Sequence, residues 1–134
     1  DWSWSRGLGD VYKRQSQEGI VVGTGNKVED FGVGFYTKYG DGGVDISPIA
    51  DLMKSEVKSL ASTLGVDQRI IDAPPTDGLW DDDRTDEAQL GLNYDELEDA
   101  MKNESSGNKE KYLSIRKNNL HKMEPIPVCK IPDS

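Results

Sequence analysis

The run Gly19-Ile20-Val21-Val22-Gly23 constrains this chain most: a short β-branched stretch closed by glycine has the pattern of a buried parallel strand that feeds a loop. The segment beyond it is dense in glycine, with seven glycines between Gly23 and Asp45. Glycine lets a backbone approach a ligand closely and adopt conformations closed to other residues. Thr24, Glu29, Lys38 and Asp45 punctuate the stretch with a hydroxyl, a carboxylate suited to a metal, a cation suited to phosphate and an acid able to accept hydroxyls. In open α/β sheets ligands bind outside the carboxyl ends of the strands, which is where Thr24 to Glu29 would lie. Two readings stand at this point, a nucleotide-binding loop and an ordinary glycine-rich turn region.

The rest of the chain reads as short helices separated by polar connections. Lys27 to Tyr39 has helical character interrupted by glycine, and Gly40-Asp41-Gly42-Gly43 is a turn. Asp51 to Leu64 is the clearest helix: Met53, Val57, Leu60, Ala61 and Leu64 share one face, Pro48 precedes it and Gly65 stops it. Lys54 falls in its first turn, where the helix dipole favours an anion; a solvent lysine is the alternative. Ile70-Ile71 reads as a short buried piece before the extended Pro74-Pro75-Thr76. Asn93 to Met101 forms a second helix, with Asn93 as cap, Glu96 three residues on, and Tyr94, Leu97 and Met101 as a structural apolar face. Lys111 to Leu120 is a third, basic helix.

Charge is segregated along the chain. Of a net −9, the window Asp77 to Glu104 holds eleven acids against two bases, whereas Lys109 to Lys130 holds six bases against two acids. The total disfavours general nucleic-acid binding, while the basic tail suits one phosphorylated ligand. The polar stretch Asp77 to Glu87 reads as a lid, with solvated surface as the alternative; its Asp81-Asp82-Asp83 run lacks the spacing of a calcium loop.

With one cysteine, Cys129, and one histidine, His121, neither an internal disulfide nor a Cys/His zinc framework can form, so any metal is a hard one held by oxygen. No run reaches the roughly 20 apolar residues that span a bilayer, so no membrane role is expected and the cytoplasm is the expected compartment. Neither the Gly-x-x-x-x-Gly-Lys-Ser/Thr phosphate loop nor the Gly-x-Gly-x-x-Gly dinucleotide fingerprint occurs, and no nucleophile elbow accompanies His121. Residues 1–15, with Gly-Leu-Gly-Asp-Val-Tyr-Lys-Arg-Gln, resemble translated adaptor sequence and are set apart from 16–134, read as part of a single domain.

Five separated motifs then agree in order and spacing. Gly23-Thr24-Gly25-Asn26-Lys27-Val28-Glu29, Phe35 to Asp45, Pro74 to Trp80, Thr85 to Gly91 with Tyr94-Asp95-Glu96-Leu97, and His121-Lys122 together resemble the ammonia-dependent NAD synthetase family from about Gly19 to Val128. The resemblance implies a partial adenine-nucleotide α-hydrolase-like (Rossmann-like) α/β fold, a parallel sheet with flanking helices. It further implies a homodimer when full length, with ATP and Mg2+ serving the amidation of deamido-NAD by ammonia. By the same resemblance Thr24, Lys54 and Thr76 bind ATP and Glu29 binds magnesium; Lys38, Asp45, His121 and Lys122 bind deamido-NAD. The stretch from Glu29 to Lys38 is one residue longer than in many members, which leaves Asp30 as the alternative metal position. The family's Ser-Gly-Gly-x-Asp-Ser pyrophosphate loop is absent. The expectation is a carboxy-terminal half that does not turn over by itself, or, alternatively, a non-catalytic nucleotide-binding or interaction module.

Overall fold

A computed structural model of the chain describes residues 12–76 and 85–131. The elements in order are a π-helix at Val28–Val33, then α1 (Lys54–Thr63), α2 (Gln68–Ile71), α3 (Asp86–Leu90), α4 (Tyr94–Lys102) and α5 (Lys109–Met123). The Asp81-Asp82-Asp83 run and most of the expected lid fall outside the described residues, although the lid's last two acids, Asp86 and Glu87, open α3.

The expected parallel sheet reduces, among the described residues, to one isolated parallel bridge between Val22 and Ile46. Asp45 N–H donates to the Val21 carbonyl at 2.9 Å and Gly23 N–H to the Ile46 carbonyl at 2.7 Å. The direction and the loop placement agree with the sequence, but Ile20 and Val22 are exposed, not buried. A parallel strand buries both faces only when other strands flank it and helices cover it.

The core forms where the π-helix, α4 and α5 pack together. Val28 and Val33 meet Leu97, Ala100 and Tyr112, joined by Met53, Leu92 and Tyr94, with Phe35, Leu90, Met101 and Ile115 against them. The π-helix owes its start to Asn26, buried to 2 %, whose Oδ1 accepts the backbone N–H groups of Val28 (3.0 Å) and Glu29 (3.2 Å). Gly34, at φ 65°, ends it by donating its N–H to the Glu29 carbonyl. Its last carbonyls find partners on α5: Arg116 Nη1 donates to those of Phe31 and Gly32, and Lys122 Nζ to that of Gly34 at 2.9 Å.

α1 begins at Lys54 and not at Asp51, because Asp51 and Leu52 lie in a turn whose Leu52 carbonyl accepts Lys27 N–H at 2.8 Å. Its N-terminus is closed from α4: Glu98 accepts Ser55 N–H at 2.8 Å and Ser55 Oγ–H at 2.7 Å. Burial alone would raise the Glu98 carboxyl, but the Ser55 hydrogen bonds and Lys102 outweigh it and hold the group below its usual range. Past Leu64 the chain turns through Gly65 at φ 76°, with Val66 N–H on the Ala61 carbonyl and Gly65 N–H on that of Ser62, a Schellman stop. Ile70 and Ile71 are not the short buried piece expected. They end α2, which Asp67 caps through Arg69 N–H, and Ile70 is 69 % exposed.

α4 follows the expected design. Asn93 caps Glu96 N–H at 2.8 Å while Glu96 accepts Asn93 N–H at 2.9 Å, and Leu97 is fully buried. α5 extends two residues before and three beyond the basic helix expected at Lys111 to Leu120.

Candidate functional site

The glycine-rich loop and the π-helix line one side of an open cavity of ≈ 210 Å³, into which Thr24, Glu29, Asp30 and Asp41 face. The π-helix holds Glu29 and Asp30 side by side, and an extra residue per turn of this kind commonly occurs at functional sites. Gly25 is required here by close approach. A Cβ on it would lie 2.1 Å from Asp30 Oδ1 and 2.3 Å from Oδ2, so the loop leaves room only for that carboxylate. Burial first, then the neighbouring Glu29 and Asp41, push the Asp30 carboxyl up to about 6.

Glu29 is the hub of the site. Its Oε1 accepts the Lys54 ammonium at 2.7 Å and the Tyr94 hydroxyl at 2.7 Å, and its Oε2 accepts Asn26 N–H at 3.3 Å. Both members of the Glu29–Lys54 pair are shielded, with side chains 16 % and 25 % exposed. Lys54 is therefore not a solvent lysine; it stands at the first residue of α1 with its ammonium 4.8 Å from the centre of the Tyr94 ring. Tyr94 Oη also lies 3.2 Å from Asp86 Oδ2. Burial, then these two carboxylates, drive the phenol far above its ordinary range, so it stays a hydrogen-bond donor.

A second cavity, of ≈ 310 Å³, lies between α1, α2 and the start of α4, with Lys54, Val57, Ile71, Pro75 and Tyr94 in its wall. Thr76 is exposed and follows Pro75, whose carbonyl accepts Asp86 N–H at 3.1 Å; Thr76 lines neither cavity.

Lys38, His121 and Lys122 meet at a third cavity, with Tyr36, where the Thr37–Tyr39 loop faces the end of α5. Lys38 Nζ donates to the His121 carbonyl at 2.5 Å and the Glu124 carbonyl at 3.3 Å, while Tyr36 Oη–H donates to the Lys122 carbonyl at 2.5 Å. Lys122 lies 5.7 Å from the Tyr36 ring centre, and its burial lowers the ammonium below its usual range. The His121 side chain is exposed. Asp45 does not join this group. It accepts Val21 N–H at 2.8 Å and Arg14 Nη1 at 2.7 and 2.8 Å; the Val21 amide, then Arg14, hold its carboxyl below the usual range.

Among the described residues no three acidic, cysteine or histidine side chains form a ligand set by themselves. The donor chemistry still suits a magnesium ion that arrives on phosphates, since such ions take one or two protein carboxylates and keep waters. Glu29 offers that carboxylate at a point already selecting a cation, Lys54.

The sequence matches the family model for NAD synthase over residues 5–129. The chain belongs to the NAD synthase family. The NH3-dependent NAD+ synthetase of Archaeoglobus fulgidus is 43% identical over 130 residues, 92% of this chain and 52% of the relative. That of Syntrophomonas wolfei is 41% identical over 90% of this chain and 49% of its own length. Among solved structures, the NMN synthetase of Francisella tularensis superposes with a TM-score of 0.85 at 32% identity, over 94% of this chain and 53% of that one. The NH3-dependent NAD synthetase of Campylobacter jejuni, at 19% identity and a TM-score of 0.62, shares the fold. The chain thus spans about half the length of these two curated relatives.

Two residues of the site escaped the sequence reading. Asn26 is one polar letter in a glycine-rich string, and only its burial shows that it nucleates the helix carrying Glu29. Tyr94 sits on the apolar stripe of α4, where its spacing from Leu97 and Met101 signals core and conceals the hydroxyl's task. Its place at the first helical position, next to a cap, was the one clue in the sequence.

Proposed function

We propose that this chain carries the Glu29–Lys54 half of an ATP-dependent ligase that converts deamido-NAD to NAD with ammonia. The observation that supports it is the shielded Glu29–Lys54 pair beside a glycine-rich loop, in a chain of the NAD synthase family whose Archaeoglobus and Syntrophomonas relatives are named NH3-dependent NAD+ synthetases. A carboxylate is a poor electrophile. Its oxygen therefore attacks the α-phosphorus of ATP, the bond to pyrophosphate breaks, and the mixed anhydride is opened by ammonia nitrogen, which loses a proton as AMP departs.

In this reading Thr24 and Thr76 contact ATP, and Lys54 exchanges its bond to Glu29 for one to phosphate. Glu29 would hold magnesium carried by the nucleotide, with Asp30 beside it; the ion supplies charge neutralisation for the phosphates. Lys38, His121 and Lys122 would grip deamido-NAD from the third cavity, and Asp45 would do so after Arg14 releases it. The adenine-nucleotide α-hydrolase-like sheet, the homodimer and the cytoplasmic setting belong to the same proposal. Among the described residues no helix is long and apolar enough to cross a membrane.

A complementary half bearing a Ser-Gly-Gly-x-Asp-Ser loop is needed for turnover. With ATP, magnesium, deamido-NAD and ammonium, the chain alone should release no AMP, and a protein with that half joined to it should. AMP release by the chain alone would overturn the requirement; none from the joined protein would overturn the ligase. A second reading comes from the likeness to the Francisella NMN synthetase: the acid amidated is the mononucleotide. The same assay with each acid in competition decides between them by which amide forms faster.

A further inference from the structure

We propose that Tyr94 is the positioning residue of this site: its hydroxyl fixes the Glu29 carboxylate and its ring fixes the Lys54 ammonium, so that the two can part without either losing its place. The inference rests on the reading of Glu29 and Lys54 as the magnesium–ATP pair. The geometry that carries it is a three-way meeting. Lys54 Nζ and Tyr94 Oη lie at the same distance, 2.7 Å, from the same oxygen, Glu29 Oε1. The ammonium also lies 4.8 Å from the centre of the tyrosine ring.

Tyr94 is itself immobilised. It is 7 % exposed, opens α4 directly after the Asn93 cap, and donates its backbone N–H to Glu87 Oε1 at 3.2 Å. One side chain thereby ties α3, α4, the π-helix and α1 together at the site. A phenol has a single proton, and the shorter contact directs it to Glu29, with Asp86 Oδ2 at 3.2 Å behind.

The consequence is chemical. When an anionic ligand draws Lys54 away, Glu29 keeps the Tyr94 hydroxyl and the Asn26 amide as donors and holds its orientation. The ring face, meanwhile, keeps the departing ammonium over the site. A residue that only filled core would need the ring and not the hydroxyl.

The test uses the whole chain with Tyr94→Phe and Tyr94→Leu, read in two ways. By NMR the Lys54 side-chain signals, assigned with Lys54→Arg, should be displaced by the ring in the parent and in Tyr94→Phe and should return to free-lysine positions in Tyr94→Leu. By calorimetry, Tyr94→Phe should weaken magnesium–ATP binding about tenfold, the loss expected for one hydrogen bond to a charged group, while its circular-dichroism spectrum at 25 °C stays that of the folded parent. Lys54 signals that ignore Tyr94→Leu, or unchanged magnesium–ATP affinity in Tyr94→Phe, would overturn the proposal. A parent chain that binds no magnesium–ATP would instead count against the ATP reading, and the NMR result alone would then decide the role of Tyr94.

Discussion

Asp30 is a carboxylate held where ionising is costly. It is wedged against Gly25, next to Glu29 and Asp41, and its carboxyl is raised from 3.8 to about 6. The folded chain therefore binds this proton more tightly than the unfolded chain does, and stability falls as pH rises from about 4 through about 6. A shift of that size would correspond to about 3 kcal/mol at full value, and partial solvent screening reduces it to about 1–2 kcal/mol. Asp30→Asn, neutral throughout, should be more stable than the parent by about 1 kcal/mol at pH 8 and equal to it at pH 4. Denaturation curves at the two pH values check this; a variant less stable than the parent at pH 8 would show that the Asp30 charge is stabilising. The family resemblance put Glu29 first at this point and left Asp30 as the alternative. What no local pattern shows is the burial of Asp30 and the Lys54 partner of Glu29, both products of tertiary packing.

At the scale of elements, what was legible depended on how local the signal was. The Asn93/Glu96 capping box and the Gly65 stop involve neighbours within a few residues, and both were readable. Ile70-Ile71 looked buried because two β-branched residues are apolar, yet burial needs an opposing surface that α1 alone does not provide. Two of the three left-handed glycines among the described residues, Gly34 and Gly65, offer a test of this division. Gly65 has open space around it, whereas a Cβ at Gly34 would lie 2.7 Å from Asn119 Cβ and 2.9 Å from Met123 Cε of α5. Gly65→Ala should cost only the backbone strain, about 1 kcal/mol. Gly34→Ala should cost about 2–3 kcal/mol, because it also pries α5 from the π-helix. Urea unfolding measures both; equal losses would mean that the α5 contact contributes nothing. The same Gly34→Ala change should disturb the Lys38 and Lys122 cavity, since Lys122 Nζ is bonded to the Gly34 carbonyl.

For the molecule as a whole, two opposing surface properties decide its behaviour in solution. Apolar side chains that a larger assembly would cover are open to solvent: Leu64 is 72 % and Ile70 69 % exposed on the α1–α2 side, with Leu60 and Val66 beside them, and Ile20, Val22 and Ile46 are exposed around the parallel bridge. Such patches favour association. Against them stands a net charge of −9, which makes copies repel one another on average at neutral pH and low salt. The two forces differ in range. The screening length falls from about 30 Å at 0.01 M salt to about 3 Å at 1 M, whereas apolar contact is not weakened by salt. The chain should therefore sediment as a monomer at pH 8 in 0.01 M salt and associate in 1 M salt, and also as the pH approaches its isoelectric point near 4.5. Leu64→Glu combined with Ile70→Glu should stay monomeric in high salt at pH 8 if the α1–α2 face drives association. If that variant associates like the parent, the face around Val22 and Ile46 is the adhesive one, and Val22→Lys should then abolish it. A parent chain that remains monomeric under all these conditions would show that neither face is sticky enough to overcome the entropy of association.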